Sequence, residues 1–221
     1  MNSRENESAW NALFSSLAFA EKAAADECRK IAKYFRESGQ LKLADEYDGL
    51  VDEENRHHDL ALSVTKETVP LTTRAAIVYD GGYFTANGPI LERLMSVHFV
   101  FEPSALAFLG YVSSHSEELF DDQEWATQIT RAFNQILRDE VSHVINGGDV
   151  IKKFWNEATA EERDIALRTM RKHRAFLKAG LNSFFKDDDK KTISKMLSRF
   201  DFYFEKCVKG VCHEFTEKAA S

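Results

Sequence analysis

A carboxylate set into the apolar face of a helix is costly unless a proton or a cation neutralises it. This chain does that twice, placing Glu21 inside SLAFAEKAAA and Glu102 inside VHFVFEPSALAF. Around Glu21, apolar residues recur at three- and four-residue steps (Leu13, Phe14, Leu17, Ala20, Ala24, Cys28, Ile31, Phe35). That period predicts an amphipathic helix from Trp10 to about Glu37, closed by Ser38-Gly39. A second helix is expected from Leu41 to about Thr65, with Leu43, Tyr47, Leu50, Val51, Leu60 and Val64 on its inner stripe. So short a turn between two helices makes them an antiparallel hairpin.

Residues 68–88 interrupt the period with Gly81-Gly82 and Asn87-Gly88, which reads as a connection long enough to run the length of a bundle. A third helix is expected from near Pro89 to about Glu118, kinked by Pro103, which lacks a backbone donor. A fourth should open at Asp121 or Asp122, since Asp121 and Glu124 have capping-box spacing, and end near Gly147. Further helices are expected from Gly148 to near Trp155, from Thr159 to about Lys186, and from about Lys190 to Phe215, with Asp187-Asp188-Asp189-Lys190-Lys191 as a solvated turn. With only ten Gly and three Pro, the chain reads as all-α. We expect one domain over 1–221, a bundle at about 10–147 carrying accessory helices at about 148–216.

Four of these helices carry the residues of a metal site: Glu21 on the first, Glu54 and His57 on the second, Glu102 on the third, Glu140 and His143 on the fourth. Positions i and i+3 share a helix face, so Glu54-Asn55-Arg56-His57 and Glu140-Val141-Ser142-His143 each present a carboxylate and an imidazole together. Height along the helices agrees. At ~1.5 Å per residue, Glu21 lies roughly 25 Å from the first turn and Glu54 roughly 20 Å beyond it, and Glu102 and Glu140 match similarly about theirs. One Glu from each of two helices plus a Glu-x-x-His from each of two more is the inventory of di-iron and di-manganese carboxylate bundles. Six such ligands, oxygen-rich with one imidazole per metal, suit Fe(II) or Mn(II).

Beside these, Glu53 and Asp139 stand where each could hold the opposite imidazole by its outer nitrogen. His98, one turn before Glu102, reads either as a further ligand or as a satisfied core histidine, and Tyr47 as packing or an electron relay. Phe14, Leu17, Phe19, Phe99, Phe101, Leu106, Phe108 and Tyr111 form an apolar surround, part of which could wall a dry cavity.

The net charge of −7 is spread along the chain, which argues against a nucleic-acid partner. Cys28, Cys207 and Cys212 form no CxxC pair, which points to a reducing compartment and away from structural zinc. No signal-type leader is read, and no apolar stretch near the ~20 residues of a membrane span. A cytoplasmic location is expected.

Glu53-Glu54-Asn55-Arg56-His57 resembles the (D/E)ExRH motif of bacterial multicomponent monooxygenases and the ExRH of cyanobacterial aldehyde-deformylating oxygenases. Arg138-Asp139-Glu140-Val141-Ser142-His143 resembles the RDExxH of the latter. Across about residues 10–155, the chain thus resembles the ferritin-like di-iron carboxylate oxygenases. That resemblance implies a ferritin-like four-helix bundle and two iron ions, or a Mn/Fe pair, on Glu21, Glu54, His57, Glu102, Glu140 and His143. It also implies O2 as co-substrate, a small hydrophobic or amphiphilic substrate, and an external electron donor such as a reductase or ferredoxin. Pro103 after Glu102, His98 before it and the glycine- and aromatic-rich crossover stand apart from the pattern. Two other classes fit the same residues: a ferritin- or rubrerythrin-like protein handling iron or peroxide, and a radical-generating or metal-free helical partner protein.

Overall fold

The computed structural model describes residues 3–67, 88–184 and 190–211, and the regular structure among them is helical, with no strand. Six helices follow in order: α1 Ser3–Glu37, α2 Leu41–Ser63, α3 Ile90–Leu119, α4 Gln123–Glu157, α5 Ala160–Phe184 and α6 Lys190–Val211. The expected crossover up to Asn87, the turn at Asp187–Asp189, and Cys212 with the rest of the last helix lie outside the described residues.

Helix α1 starts earlier than its period predicted and ends as expected. Gly39 takes φ +75°, a conformation open to glycine at little cost, and Gln40 N–H donates to Phe35 O at 2.8 Å while Gly39 N–H donates to Arg36 O at 3.2 Å. This is a Schellman closure, and it turns the chain straight into α2. Helices α1 and α2 pack along their lengths as one hairpin, and the second half of α3 packs on α4 as another. Helix α5 covers the first part of α3, and α6 lies along its second part.

Helix α3 departs from the expected kink at Pro103. The segment Val97–Phe101 is a π turn, in which Glu102 N–H reaches back five residues to Val97 O. The wider turn ends two residues before Pro103, which has no N–H to give, and the helix resumes at Glu102. The non-helical backbone of α3 lies instead at His115 (φ −129°, ψ 15°). Its Nδ1 lies 2.9 Å from Tyr111 O, the acceptor that its own backbone N–H would use in a regular helix. Ile90–Leu119 is also long and apolar enough to cross a membrane, contrary to expectation, but 89% of the apolar window is buried in the fold.

Of two further boundaries, one takes an expected position and one differs. Asp122, rather than Asp121, caps α4, its Oδ1 accepting from Glu124 N–H at 3.1 Å and Trp125 N–H at 3.0 Å. Helix α4 then continues through Gly147-Gly148 to Glu157 instead of stopping there, because neither glycine takes a positive φ. The bundle boundary expected at 147 therefore falls inside one continuous helix. At α5, Thr159 and Glu162 form a reciprocal capping box, with Thr159 N–H to Glu162 Oε2 at 2.8 Å and Glu162 N–H to Thr159 Oγ1 at 3.2 Å.

Candidate metal centre

The six side chains from α1 to α4 meet in the interior. Glu21, Glu54, His57, Glu102, Glu140 and His143 are all at most 2% exposed. They form two overlapping groups of potential ligands, Glu21, Glu54, His57 and Glu140 in one and Glu54, Glu102, Glu140 and His143 in the other, with the ligand atoms of each group within 4.8 Å of one another. Glu54 and Glu140 belong to both groups. His57 Nδ1 lies 3.1 Å from Glu140 Oε1 and 3.6 Å from Glu54 Oε2, and His143 Nδ1 lies 3.2 Å from Glu54 Oε1 and 3.6 Å from Glu102 Oε2. The two rings stand 5.7 Å apart between centroids.

Each imidazole turns Nδ1 inward and Nε2 outward. His143 Nε2 is 2.8 Å from Glu53 Oε2, and His57 Nε2 is 3.1 Å from Asp139 Oδ2, so each ring is held by the acid that precedes the opposite motif. A carboxylate on the outer nitrogen fixes ring orientation and makes the inner nitrogen a better donor to a metal. The residues between the motif positions tie the helices together, one across the two hairpins and one within the first. Arg56 donates to Asp139 Oδ2 at 2.7 Å, and Lys22 donates to Asn55 Oδ1 at 2.8 Å.

The electrostatics are those of a site short of positive charge. Burial drives the carboxyls of Glu21 and Glu140 well above the ordinary range, reinforced by Glu54 and Glu140 around Glu21 and by Glu102 beside Glu140. Burial opposes a charge on His57, yet the carboxylates of Glu140 and Glu54 close to its Nδ1 prevail and lift its pKa to about 11. His143 is lifted in the same way, with the Glu102 charge prevailing over burial. Glu54 is held low against its own burial by the imidazoles of His143 and His57 beside it. Protons thus occupy the places of cations. Both oxygens of Glu21, Glu54 and Glu140, Glu102 Oε2 and the Nδ1 of both histidines nevertheless have no well-formed hydrogen-bond partner. So many orphaned buried acceptors, facing one another, fit divalent metal ions.

His98 is in neither group. Its Nε2 lies 2.7 Å from Tyr47 Oη, and burial holds its pKa down at about 3, so the ring is neutral. The ring lies flat on Gly147, where an added Cβ would meet His98 Cγ at 2.1 Å. Sequence reasoning missed this contact, although Gly147 stands one turn after His143 on the inner face. Tyr47, His98, Glu53 and His143 line a cleft of about 580 Å³ between α2 and α4, rimmed by Lys42, Glu46, Asn146 and Asp149. Of the expected apolar surround, Leu17, Phe101 and Phe108 line only a pocket of about 20 Å³ among α1, α3 and α5. Phe14 and Phe99 are packed core, and Phe19 is 44% exposed rather than part of an apolar wall, because it falls on the outer face of α1.

No protein-family model matches this chain, and none of the curated proteins matches it.

Proposed function

We propose that this chain is an O2-activating non-haem di-iron oxidoreductase built on a ferritin-like four-helix bundle. The observation that carries the reading is the pair of overlapping buried ligand groups, joined by Glu54 and Glu140 and left with orphaned acceptors. In this reading Glu21 and His57 serve one ion, Glu102 and His143 the other, and Glu54 and Glu140 reach both. A bound iron pair supplies the redox chemistry of O2, and the protein supplies position and exclusion of water. Glu53 and Asp139 lock the two rings, the near-complete burial of all six side chains keeps bulk water from the centre, and the α2–α4 cleft gives protons a polar way to His143. The substrate is a small hydrophobic or amphiphilic molecule, and electrons come from an external donor.

Anaerobic loading with Fe(II) followed by metal analysis and an oxygen electrode tests this. We expect two irons per chain and O2 consumption on mixing; a chain that takes up no iron, or holds it without reacting with O2, refutes the reading. The acidic rim of the cleft, with Glu46, Glu53 and Asp149 near His143, favours an iron-handling role as the second reading. Repeated Fe(II) additions separate the two, since iron handling oxidises many ions per chain and a resident centre keeps its own.

A further inference from the structure

The α2–α4 cleft holds more chemistry than a path for protons needs. Its volume of about 580 Å³ lies within the roughly 300–1,000 Å³ of small-molecule sites. Of the six side chains in the ligand groups only His143 lines it, so a molecule there meets the centre from outside, beside Glu53. Its character is mixed. Leu50 and Val150 give it apolar flanks packed against the core, while carboxylates and a lysine stand at the rim.

Two polar groups of the cleft are left unpartnered among the described residues. At the rim, Lys42 pairs with Glu46 at 3.6 Å and Glu53 with His143 Nε2 at 2.8 Å, which leaves Asp149 with neither a hydrogen bond nor an ion pair. Deeper in, His98 lines the cleft at 1% exposure, with Nε2 2.7 Å from Tyr47 Oη. A buried phenol gives its one hydrogen to the partner it has, so the neutral ring carries its own hydrogen on Nδ1. The backbone of His143 bears on the ring, yet Nδ1 has no well-formed hydrogen bond. A buried N–H left in this way is costly, and an acceptor brought against it removes the penalty.

We propose that the cleft binds a small amphiphilic molecule with an ammonium group at one end and an oxygen acceptor at the other. The ammonium sits at Asp149, the apolar body lies between Leu50 and Val150, and the oxygen accepts from His98 Nδ1. Three carboxylates at the rim, Glu46, Glu53 and Asp149, against the single charge of Lys42 turn away an anion. The inference rests on the cleft and not on the iron reading, so the metal-free chain tests it.

Calorimetric titration of that chain with tyramine is the test, beside 2-phenylethylamine, which lacks the oxygen, and 3-(4-hydroxyphenyl)propionate, which carries a carboxylate in place of the ammonium. Tyramine should bind saturably, one per chain. 2-Phenylethylamine should bind roughly 2–10-fold more weakly for want of one hydrogen bond, and the propionate more weakly still. Asp149→Lys, at an exposed position, should weaken tyramine and strengthen the propionate, a reversal that a merely structural role would not produce. Asn146→Trp, which fills the cleft from its rim, should abolish binding of both. No saturable binding of tyramine overturns the proposal, as do equal affinities for the three compounds or an Asp149→Lys chain with the wild-type preference. If Asn146→Trp fails to fold, the Asp149→Lys reversal decides. A chain that binds tyramine and takes up no iron keeps this site and loses the di-iron reading; one that takes up iron and ignores tyramine does the reverse.

Discussion

Adjacent glycines in α4 should respond to alanine with opposite signs. At Gly147 a new Cβ would lie 2.1 Å from His98 Cγ, 2.3 Å from Nδ1 and 2.6 Å from Cδ2, against an ordinary contact of 3.4 Å or more. The ring cannot retreat freely, since Nε2 is tied to Tyr47 at 2.7 Å and His98 is 1% exposed within the π turn. Overpacking of this kind costs about 1–3 kcal/mol. Displacing the ring also strands a buried Tyr47–His98 hydrogen bond, about 1–3 kcal/mol. Against this, replacing a helix-interior glycine returns only about 1 kcal/mol. Gly147→Ala should therefore lose about 1–5 kcal/mol, a fall of roughly 2–20 °C in Tm for a chain of this size. Gly148 has no atom within 4 Å of its would-be Cβ, so Gly148→Ala gains the propensity alone. Its Tm should rise by roughly 2–4 °C. Thermal unfolding of both metal-free variants, followed by circular dichroism, measures the contrast. A Gly147→Ala chain as stable as wild type would refute the close packing of α3 on α4 one turn from His143.

Glu54→Ala should abolish binding of both ions, whereas Glu21→Ala should weaken chiefly one, because Glu54 belongs to both ligand groups and Glu21 to one; metal analysis of the purified variants reads the difference, and equal losses would count against shared carboxylates. Asp139→Asn should cost about 10–100-fold in metal affinity with little change in fold, by loosening the hold on His57 Nε2; competition titration with a chelator measures it. The metal-free chain should lose stability toward alkaline pH. The folded pKa of His57 is about 11, above its unfolded value near 6.5, so its contribution is complete below about pH 6.5 and is lost as pH climbs through about 11. The raised carboxyls of Glu21 and Glu140 act with the same sign. Denaturant midpoints between about pH 7 and 10 should fall for the metal-free chain, and a flat profile would contradict the protonated cluster. Metal binding must expel these protons, so affinity should rise with pH, as calorimetry in buffers of different ionisation enthalpy can show.

Much of this molecule was legible as residue spacing. Apolar period drew α1 and α2 nearly to their ends, and Gly39 marked the turn between them because only a positive φ closes a helix there. The convergence of Glu21, Glu54, His57, Glu102, Glu140 and His143 followed from the i, i+3 rule and equal heights, since helix geometry is rigid enough for counting residues to locate side chains in depth. The crossed pairing of Glu53 with His143 and of Asp139 with His57 was likewise anticipated from position alone.

Spacing within one helix says nothing about what a neighbouring helix presses against it, and the remaining features were decided there. Gly147-Gly148 reads as a stop in one dimension, yet neither glycine turns to positive φ, α4 runs on, and Gly147 leaves the room that the His98 ring fills. Pro103 reads as a kink, yet a π turn ahead of it keeps α3 continuous and buried. Phe19 shares its apolar character with Phe14 but not its direction, and the wide cleft opened on the histidine side because α2 and α4 touch only sparsely there. Local sequence set helix, face and the depth of the inward carboxylates and imidazoles because those depend on backbone geometry; packing between helices, which depends on shapes brought together from distant parts of the chain, set the backbone exceptions and the cavities.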